Sequence, residues 1–358
     1  MEKIRLEKVL KEMDKENIPQ MIISDPAAIF YLTGKWIHPG ERMLVLYLNI
    51  KGNHKLFINK LFPIQEDLGI EKIWFQDTDQ PVKILSEHIE KETIIGIDKN
   101  WPARFLIEFM EQRPGSSFIN GSYILDKIRA VKDEREIEYM REASQINDLA
   151  MEKIISLISH QYTEKNIEQQ LMNIYEELGA EGPSFAPIIA YGANGATPHH
   201  EPGHTRLTEG DSIIIDIGCK KSSYCADMTR TVFYKSVSPK AQEIYHIVKE
   251  ANQKAIAAVR PGVRFCDIDA AARKHIEGMG YGQFFTHRTG HAIGIEVHDF
   301  GDVSSTNTDT IVPGMIFSIE PGIYIPGEFG VRIEDLVLVT ERGCEVLNHF
   351  DKELIVID

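Results

Sequence analysis

No apolar run in these 358 residues approaches the roughly 20 needed to span a bilayer. The start, MEKIRLEKVLKEM, spreads its charges as an amphipathic helix does and lacks the basic-then-apolar order of a signal peptide. Cytoplasm is therefore the expected location. Cysteine is scarce: Cys219, Cys225, Cys266 and Cys344 are too few and too irregularly spaced for a disulfide framework or a paired CxxC zinc site, and reduced thiols are expected. Low-complexity tracts are absent. Positive charge is also short, with 39 Lys and Arg against 54 Asp and Glu and a net charge of −15. Nucleic acid and anionic membrane surfaces need a basic patch and are excluded as partners on that ground. The acid excess directs attention instead to carboxylates gathered around cations.

What is present is the composition of an ordinary globular protein, 43% apolar and 26% charged, at a length that suggests two domains. Residues 1–125 alternate β-rich runs (QMIISD, MLVLYLNI, HKLFIN, KIWFQD, TIIGID) with helical patterns (PVKILSEHIEKE, ARFLIEFMEQ), as a small α/β domain would. The turn-rich RPGSS and NGS segments follow. A second domain, 126–358, then opens on a helix marked by an Asp133–Glu136 capping box and an apolar stripe through Ile137, Met140, Ala143, Ile146 and Ala150. Further helices are expected over 163–178, 239–258 and 266–279.

Inside the second domain GDSIIIDIG (210–218) and GMIFSIEPG (314–322) share a frame: a glycine, an apolar strand, an acid, and a glycine two residues later. Each is followed by a second acid-bearing strand, YCADMTRTVF and GVRIEDLVLV. Two such halves imply a pseudo-symmetric, barrel-like sheet with helices outside. Placing Asp216 opposite Asp227 sets Gly218 against Cys225 and Cys219 against Tyr224 around a KKSS loop, with Cys219 on the face away from the acids. Glu320 registers against Glu334 in the second hairpin. Like charges directly opposed destabilise a sheet. A lone acid in such a strand more often ends it or faces solvent, but four acids in strands this apolar need a divalent cation.

Histidines accompany them. His287, His291 and His298 lie in HRTGHAIGIEVHD, and at least one is expected to be a ligand; His199, His200 and His204 lie in the glycine-rich loop GANGATPHHEPGH.

These segments together resemble the pita-bread metallopeptidases, the family of methionine aminopeptidase, aminopeptidase P, prolidase and the metal-free creatinase. The ligand pattern Asp, Asp, His, Glu, Glu is matched in order by Asp216 in DIG, Asp227 in ADMTRT, His291 in TGHAIG, Glu320 in SIEPG and Glu334 in VRIED. FYLTG (30–34) and PGER (39–42) make the first domain similar to the creatinase-type N-domain of prolidases and aminopeptidase P. The resemblance implies an α+β protein with a pita-bread catalytic domain behind a smaller α/β domain. It also implies two divalent ions, Mn²⁺ first and Co²⁺, Fe²⁺ or Zn²⁺ as alternatives; a carboxylate-rich set with one imidazole suits such ions. Asp216 and Asp227 would hold the first metal, Asp227 and Glu334 would bridge, and His291 and Glu320 would complete the second.

Glu320 is then the expected general base, with His199 and His298 stabilising the intermediate, His287 on the substrate side, and Arg332 steadying the ligands. His200 is expected to be only a neighbour of His199. The implied activity is hydrolysis of Xaa-Pro bonds in dipeptides or at peptide amino termini, with the dipeptidase reading favoured. Arg288 stands where several members have Gly or Ser; it either pairs with the terminal carboxylate of a dipeptide or makes a structural ion pair. Trp36 and His38, in GKWIHPGER, are expected to reach the partner's active site in a homodimer, or to pack at a plain interface. Aminopeptidase P activity on longer peptides and a non-catalytic peptide-binding module of the same fold are the alternatives. A metal-free creatinase-like reaction is disfavoured because all five ligand positions are kept.

Overall fold

A computed structural model describes all 358 residues, which form two compact units, Met1–Arg129 and Ala130–Asp358. In the first, helices α1 (Lys3–Lys15), α2 (Pro26–Thr33), α3 (Pro81–His88) and α4 (Ala103–Glu111) accompany strands β1 (Gln20–Ile23), β2 (Val45–Asn49), β3 (Lys55–Asn59), β4 (Glu71–Phe75), β5 (Ile94–Ile97) and β6 (Ser117–Asn120). The strands form one mixed sheet in the order β4-β3-β2-β1-β5-β6. Helix α2 starts where the Asp25 side chain accepts from the Ala28 amide with Pro26 in the first turn, and it stops at Gly34, whose φ of 71° suits glycine. Strand β6 falls in the stretch whose turn residues read as loop. It is a mostly exposed edge strand paired in parallel with β5, so it carries no apolar alternation by which sequence could mark it.

Helix α5 (Ser122–Ala130) leads to the second unit, where two halves each contribute a helix pair and then strands. The first half has α6 (Glu134–Leu157), α7 (Glu164–Glu177), β7 (Ile188–Tyr191), β8 (Ser212–Ile217), β9 (Lys220–Lys221), β10 (Tyr224–Cys225) and β11 (Met228–Tyr234). The second has α8 (Pro239–Ala258), α9 (Phe265–Gly278), β12 (Gly290–His291), β13 (Asp302–Val303), β14 (Ile316–Ile319), β15 (Gly322–Ile325), β16 (Phe329–Arg332), β17 (Asp335–Val339), β18 (Cys344–Val346) and β19 (Val356–Ile357). The Asp133–Glu136 capping box opens α6 with both reciprocal bonds made, and Thr163 and Asn166 cap α7 in the same way.

Alternation decides which face carries the acids. Ile213, Ile215 and Ile217 of β8 join the core built by α6 and α7, which leaves Asp216 on the opposite face. In the second half Phe317 and Ile319 of β14, with Val337 and Val339 of β17, join the core under α8 and α9, which leaves Glu320 and Glu334 on the other face. The halves meet where the Glu334 amide donates to the Thr229 carbonyl (3.1 Å) and the Arg332 amide to Thr231 Oγ1 (3.1 Å).

The first hairpin departs from the expected register. Asp216 pairs with Thr229, and Cys225 with Lys220, so the ladder is displaced by two residues. The turn is the two-residue Ser222–Ser223, with φ of 50° and 68°, the left-handed pair of a tight hairpin without the usual Asn-Gly. A displacement of two keeps every side chain on its face, so Asp216 and Asp227 stay together as diagonal neighbours. Cys219 points into the core, its thiol donating to the Ala143 carbonyl (3.3 Å). Cys225 is not opposite Gly218: its thiol donates to the Ile295 carbonyl (3.4 Å) and burial pushes it up to about 12. In the second hairpin Ile319 pairs with Asp335 and Gly322 with Arg332, one register in which Glu320 falls opposite Glu334, as expected.

Gly290 lets the strand before His291 pass against β14, because a Cβ there would run into the Ser318 carbonyl. Gly290→Ala is expected to lower the melting temperature by several degrees, since backbone overpacking costs about 1–3 kcal/mol or more. Gly343→Ala, where a Cβ meets nothing within 4 Å, serves as the control. Equal melting temperatures for the two variants would contradict the packing account.

Candidate active site

The acid-bearing face opens into a cavity of about 610 Å³ in the second unit, lined by Asp216, Asp227, His291, Glu320 and Glu334, by His199, His287, Arg288, His298 and Arg332, and by Phe185, Ala186, Ile188, Pro198 and Val297. Every candidate site residue except Trp36 and His38 is among them. Those two belong to the N-terminal unit, where Trp36 stacks on Phe30 (4.7 Å between ring centroids) and on His38 (5.6 Å).

At the centre the donor atoms of Asp227, His291 and Glu334 lie within 4.8 Å of one another. His291 Nε2 stands 3.6 Å from Asp227 Oδ2 and 3.5 Å from Glu320 Oε1. This is not an ion pair. Burial, reinforced by His298, lowers the His291 imidazole to about 3, so the ring is neutral. Its Nδ1 faces the Ala292 carbonyl (3.3 Å), an acceptor, which places the ring proton there and leaves Nε2 as a lone pair. A lone pair and two carboxylate oxygens thus converge on one space, each an acceptor, with no donor between them.

The carboxylates show the same crowding. Asp227 and Glu334 are pushed well above the usual range by burial and then by neighbouring acids. Glu320 is pushed up to about 7, by burial first and then by Asp216 against the opposing pull of Arg332. Arg332 is buried and donates to Asp216 Oδ2 (2.7 Å), Tyr324 Oη (2.9 Å), Thr229 Oγ1 (3.2 Å) and the Pro198 carbonyl (3.3 Å). Were all four carboxylates ionised, Arg332 and the cavity-lining Arg288 together would still leave two negative charges. Asp216 Oδ1, Asp227 Oδ1 and Glu334 Oε1 are all buried without a hydrogen-bond partner. Orphaned anionic oxygens converging with an imidazole lone pair are the donor set of hard or borderline divalent cations, and the residues fit that group.

Residues 138–341, within the second unit, match the family model described as metallopeptidase family M24, and residues 5–131 match the creatinase/prolidase N-terminal domain. The chain belongs to metallopeptidase family M24. A relative in Staphylococcus aureus, named an uncharacterized peptidase, is 34% identical over 97% of this chain and 99% of its own. Among solved structures, a dipeptidase from Pyrococcus horikoshii superposes with a TM-score of 0.93 at 34% identity, covering 99% of this chain and 100% of that one. A prolidase from Thermococcus sibiricus superposes with a TM-score of 0.95 at 33% identity, covering 100% and 99%. The protein is an M24 metallopeptidase with a pita-bread catalytic domain behind a creatinase-type N-domain.

Around the M24 centre stand residues that the sequence reading passed over. Thr229 Oγ1 donates to Glu334 Oε2 (2.7 Å), and Ser318 Oγ to Glu320 Oε1 (3.3 Å) and receives the His291 amide (3.0 Å). Tyr324 Oη, which accepts from Arg332, contacts His287 Nε2 at 2.8 Å, while His287 Nδ1 meets the Arg288 carbonyl at 2.7 Å. Both nitrogens of His287 are therefore engaged by protein, and burial lowers the ring to about 4. Behind the sheet, fully buried Arg230 donates to the Glu334 carbonyl (2.6 Å) and to Asp335 (2.8 Å). Arg230 had a legible signal, a charge inside the apolar strand MTRTVF. Tyr324 had none.

A carboxyl whose folded pKa is raised stabilises the fold at low pH and loses that contribution as pH rises through the folded value. For Glu320 the window runs from its ordinary 4.5 to about 7, on the order of 3 kcal/mol. Protein stripped by chelation is thus expected to fall further below the metal-loaded protein in melting temperature as pH rises across that window. A gap that stays constant, or narrows, would contradict the charge account.

Proposed function

We propose that this M24 peptidase is a dinuclear enzyme hydrolysing Xaa-Pro bonds, with dipeptides as its preferred substrates. The observation that carries the reading is the convergence of four carboxylates and the neutral His291 lone pair in one cavity, where three buried oxygens lack partners. Asp216, Asp227, His291, Glu320 and Glu334 would hold the two ions, Mn²⁺ by the hardness of the donor set. When bound, such a pair polarises a carbonyl, acidifies water and supplies positive charge to a developing oxyanion.

The chain's own residues supply the rest. Glu320, held by Ser318 at the cavity wall, takes up the proton released on attack at the scissile carbon. His199 and His298 are both exposed to the cavity and donate to the developing oxyanion and to the leaving nitrogen. Arg332 fixes Asp216 and uses four of its five N–H groups on protein acceptors, which makes it a positioning group.

Arg288 favours the dipeptidase reading. Its side chain is 38% exposed in the cavity lining, and its ion pair with Asp302, at 3.9 Å, is too long for a hydrogen bond, so a carboxylate arriving with the substrate meets a guanidinium whose fork is not held by Asp302. The names of the two neighbours, dipeptidase and prolidase, agree with this. The same reading makes the chain a cytoplasmic homodimer, with Trp36 and His38 serving the partner's cavity; no helix is long and apolar enough to cross a membrane.

Turnover of a Xaa-Pro dipeptide and of a Xaa-Pro-Xaa tripeptide by the metal-loaded enzyme tests the reading. The dipeptide should be preferred, and Glu320→Gln should lower kcat by about 10²–10⁴-fold. Arg288→Ala should raise KM for the dipeptide by about tenfold or more and leave the tripeptide within about twofold. Equal losses on both substrates would refute the clamp and favour aminopeptidase P activity; no turnover of either would favour the non-catalytic module.

A further inference from the structure

His199 reaches the cavity from an irregular stretch between β7 and β8 whose only regular element is a single 3-10 turn, Gly192–Ala196. Arg332 donates to the Pro198 carbonyl within it (3.3 Å), but one side chain gathers most of the stretch. Glu164, the first residue of α7, is fully buried and its two oxygens accept four hydrogen bonds. Oε1 receives the Tyr191 amide and Asn194 Nδ2, both at 2.8 Å; Oε2 receives His200 Nε2 and the Gly203 amide, both at 2.9 Å. The backbone adds two more ties, from the Glu164 amide to the Thr205 carbonyl (3.3 Å) and from the Lys165 amide to the Gly203 carbonyl (2.9 Å).

The donors bracket His199 in sequence, at 191 and 194 before it and at 200 and 203 after it. A buried carboxylate saturated by donors is often only a core fixture. This one differs because three of its donors belong to the loop that delivers a cavity histidine and the fourth, the Tyr191 amide, belongs to the last residue of β7, where that loop begins. The second half of the fold has a counterpart: on α9, Asp269 accepts from Thr289 Oγ1 (2.7 Å) and pairs with Arg273, whose Nη2 donates to the His287 carbonyl (2.9 Å), which holds the segment leading to His291.

We propose that Glu164 and His200 are positioning residues for His199: the buried carboxylate clasps the 192–205 loop through His200, so that of the two adjacent histidines one anchors and the other faces the cavity. The task assigned to His199 rests on the Xaa-Pro reading above; the clasp does not.

Two measurements on the metal-loaded enzyme decide it. By amide hydrogen exchange, Glu164→Gln and His200→Ala should each speed exchange across 192–205 by at least about tenfold, the loss expected for charged hydrogen bonds, with the α8–α9 core unchanged. By kinetics, His200→Ala should lower kcat about tenfold or more with KM within about twofold, His200→Gln, which keeps a donor, should recover most of it, and His199→Ala/His200→Ala should be no slower than His199→Ala alone. Exchange unchanged in the loop overturns the clasp. Loosened exchange with no loss of kcat, or with losses that multiply in the double variant, overturns the link to His199. If the wild-type enzyme turns over neither Xaa-Pro substrate, the functional reading has failed and the exchange comparison alone decides the clasp.

Discussion

The catalytic unit depends on one electrostatic constraint: four carboxylates and a neutral imidazole lone pair crowd one cavity wall, and three of the carboxylate oxygens there, Asp216 Oδ1, Asp227 Oδ1 and Glu334 Oε1, are buried with no donor. In a low-dielectric interior, like charges this close drive proton uptake or demand a counter-charge. Arg332 hydrogen-bonds Asp216 alone among the four carboxylates, and three more of its hydrogens go to Tyr324, Thr229 and Pro198. The fold therefore tolerates the cluster only in partnership with cations or protons, and that conditional stability is what turns an apolar sheet into a metallopeptidase site.

The sheet delivers the cluster by arithmetic. A period of two in β8 and β14 sends isoleucine and phenylalanine to the helices and Asp216 and Glu320 to the cavity, and the repeated helix-pair-and-strands unit brings two such faces together. Polar residues with no catalytic task hold the geometry. Thr229 and Ser318 orient carboxylates, Arg230 secures the backbone at Glu334, and Asp269 with Arg273 holds the strand leading to His291. Each of them stabilises a charge or a carbonyl that would otherwise stand unpaired in the core.

How much of this was legible in the sequence follows from which signals are local. The four helices of the catalytic unit could be read because capping residues and the 3.6-residue stripe are local. The alternation of β8 and β14 was legible for the same reason, and it survived an error. The first hairpin was expected to close with a KKSS loop, yet Ser222 and Ser223 turn alone in left-handed conformations that serine seldom marks. Because the slip was of two residues, the faces were right and the partners wrong. Strand β6 was hidden by its exposure at a sheet edge. Glu164 and Tyr324 were illegible because their importance lies in distant partners, Glu164 with residues 191–203 and Tyr324 with His287, 37 residues before it, and no spacing rule joins such positions.

Counting metal is the most direct test of the central claim that the acid cluster exists to hold cations. After equilibrium dialysis against Mn²⁺ and elemental analysis, the folded wild-type protein should retain about two ions per chain, and Asp227→Asn, which alters a carboxylate at the centre of the donor set, should retain fewer while remaining folded. A wild-type protein that is folded and retains none, or an Asp227→Asn variant that retains as many as the wild type, would contradict the account.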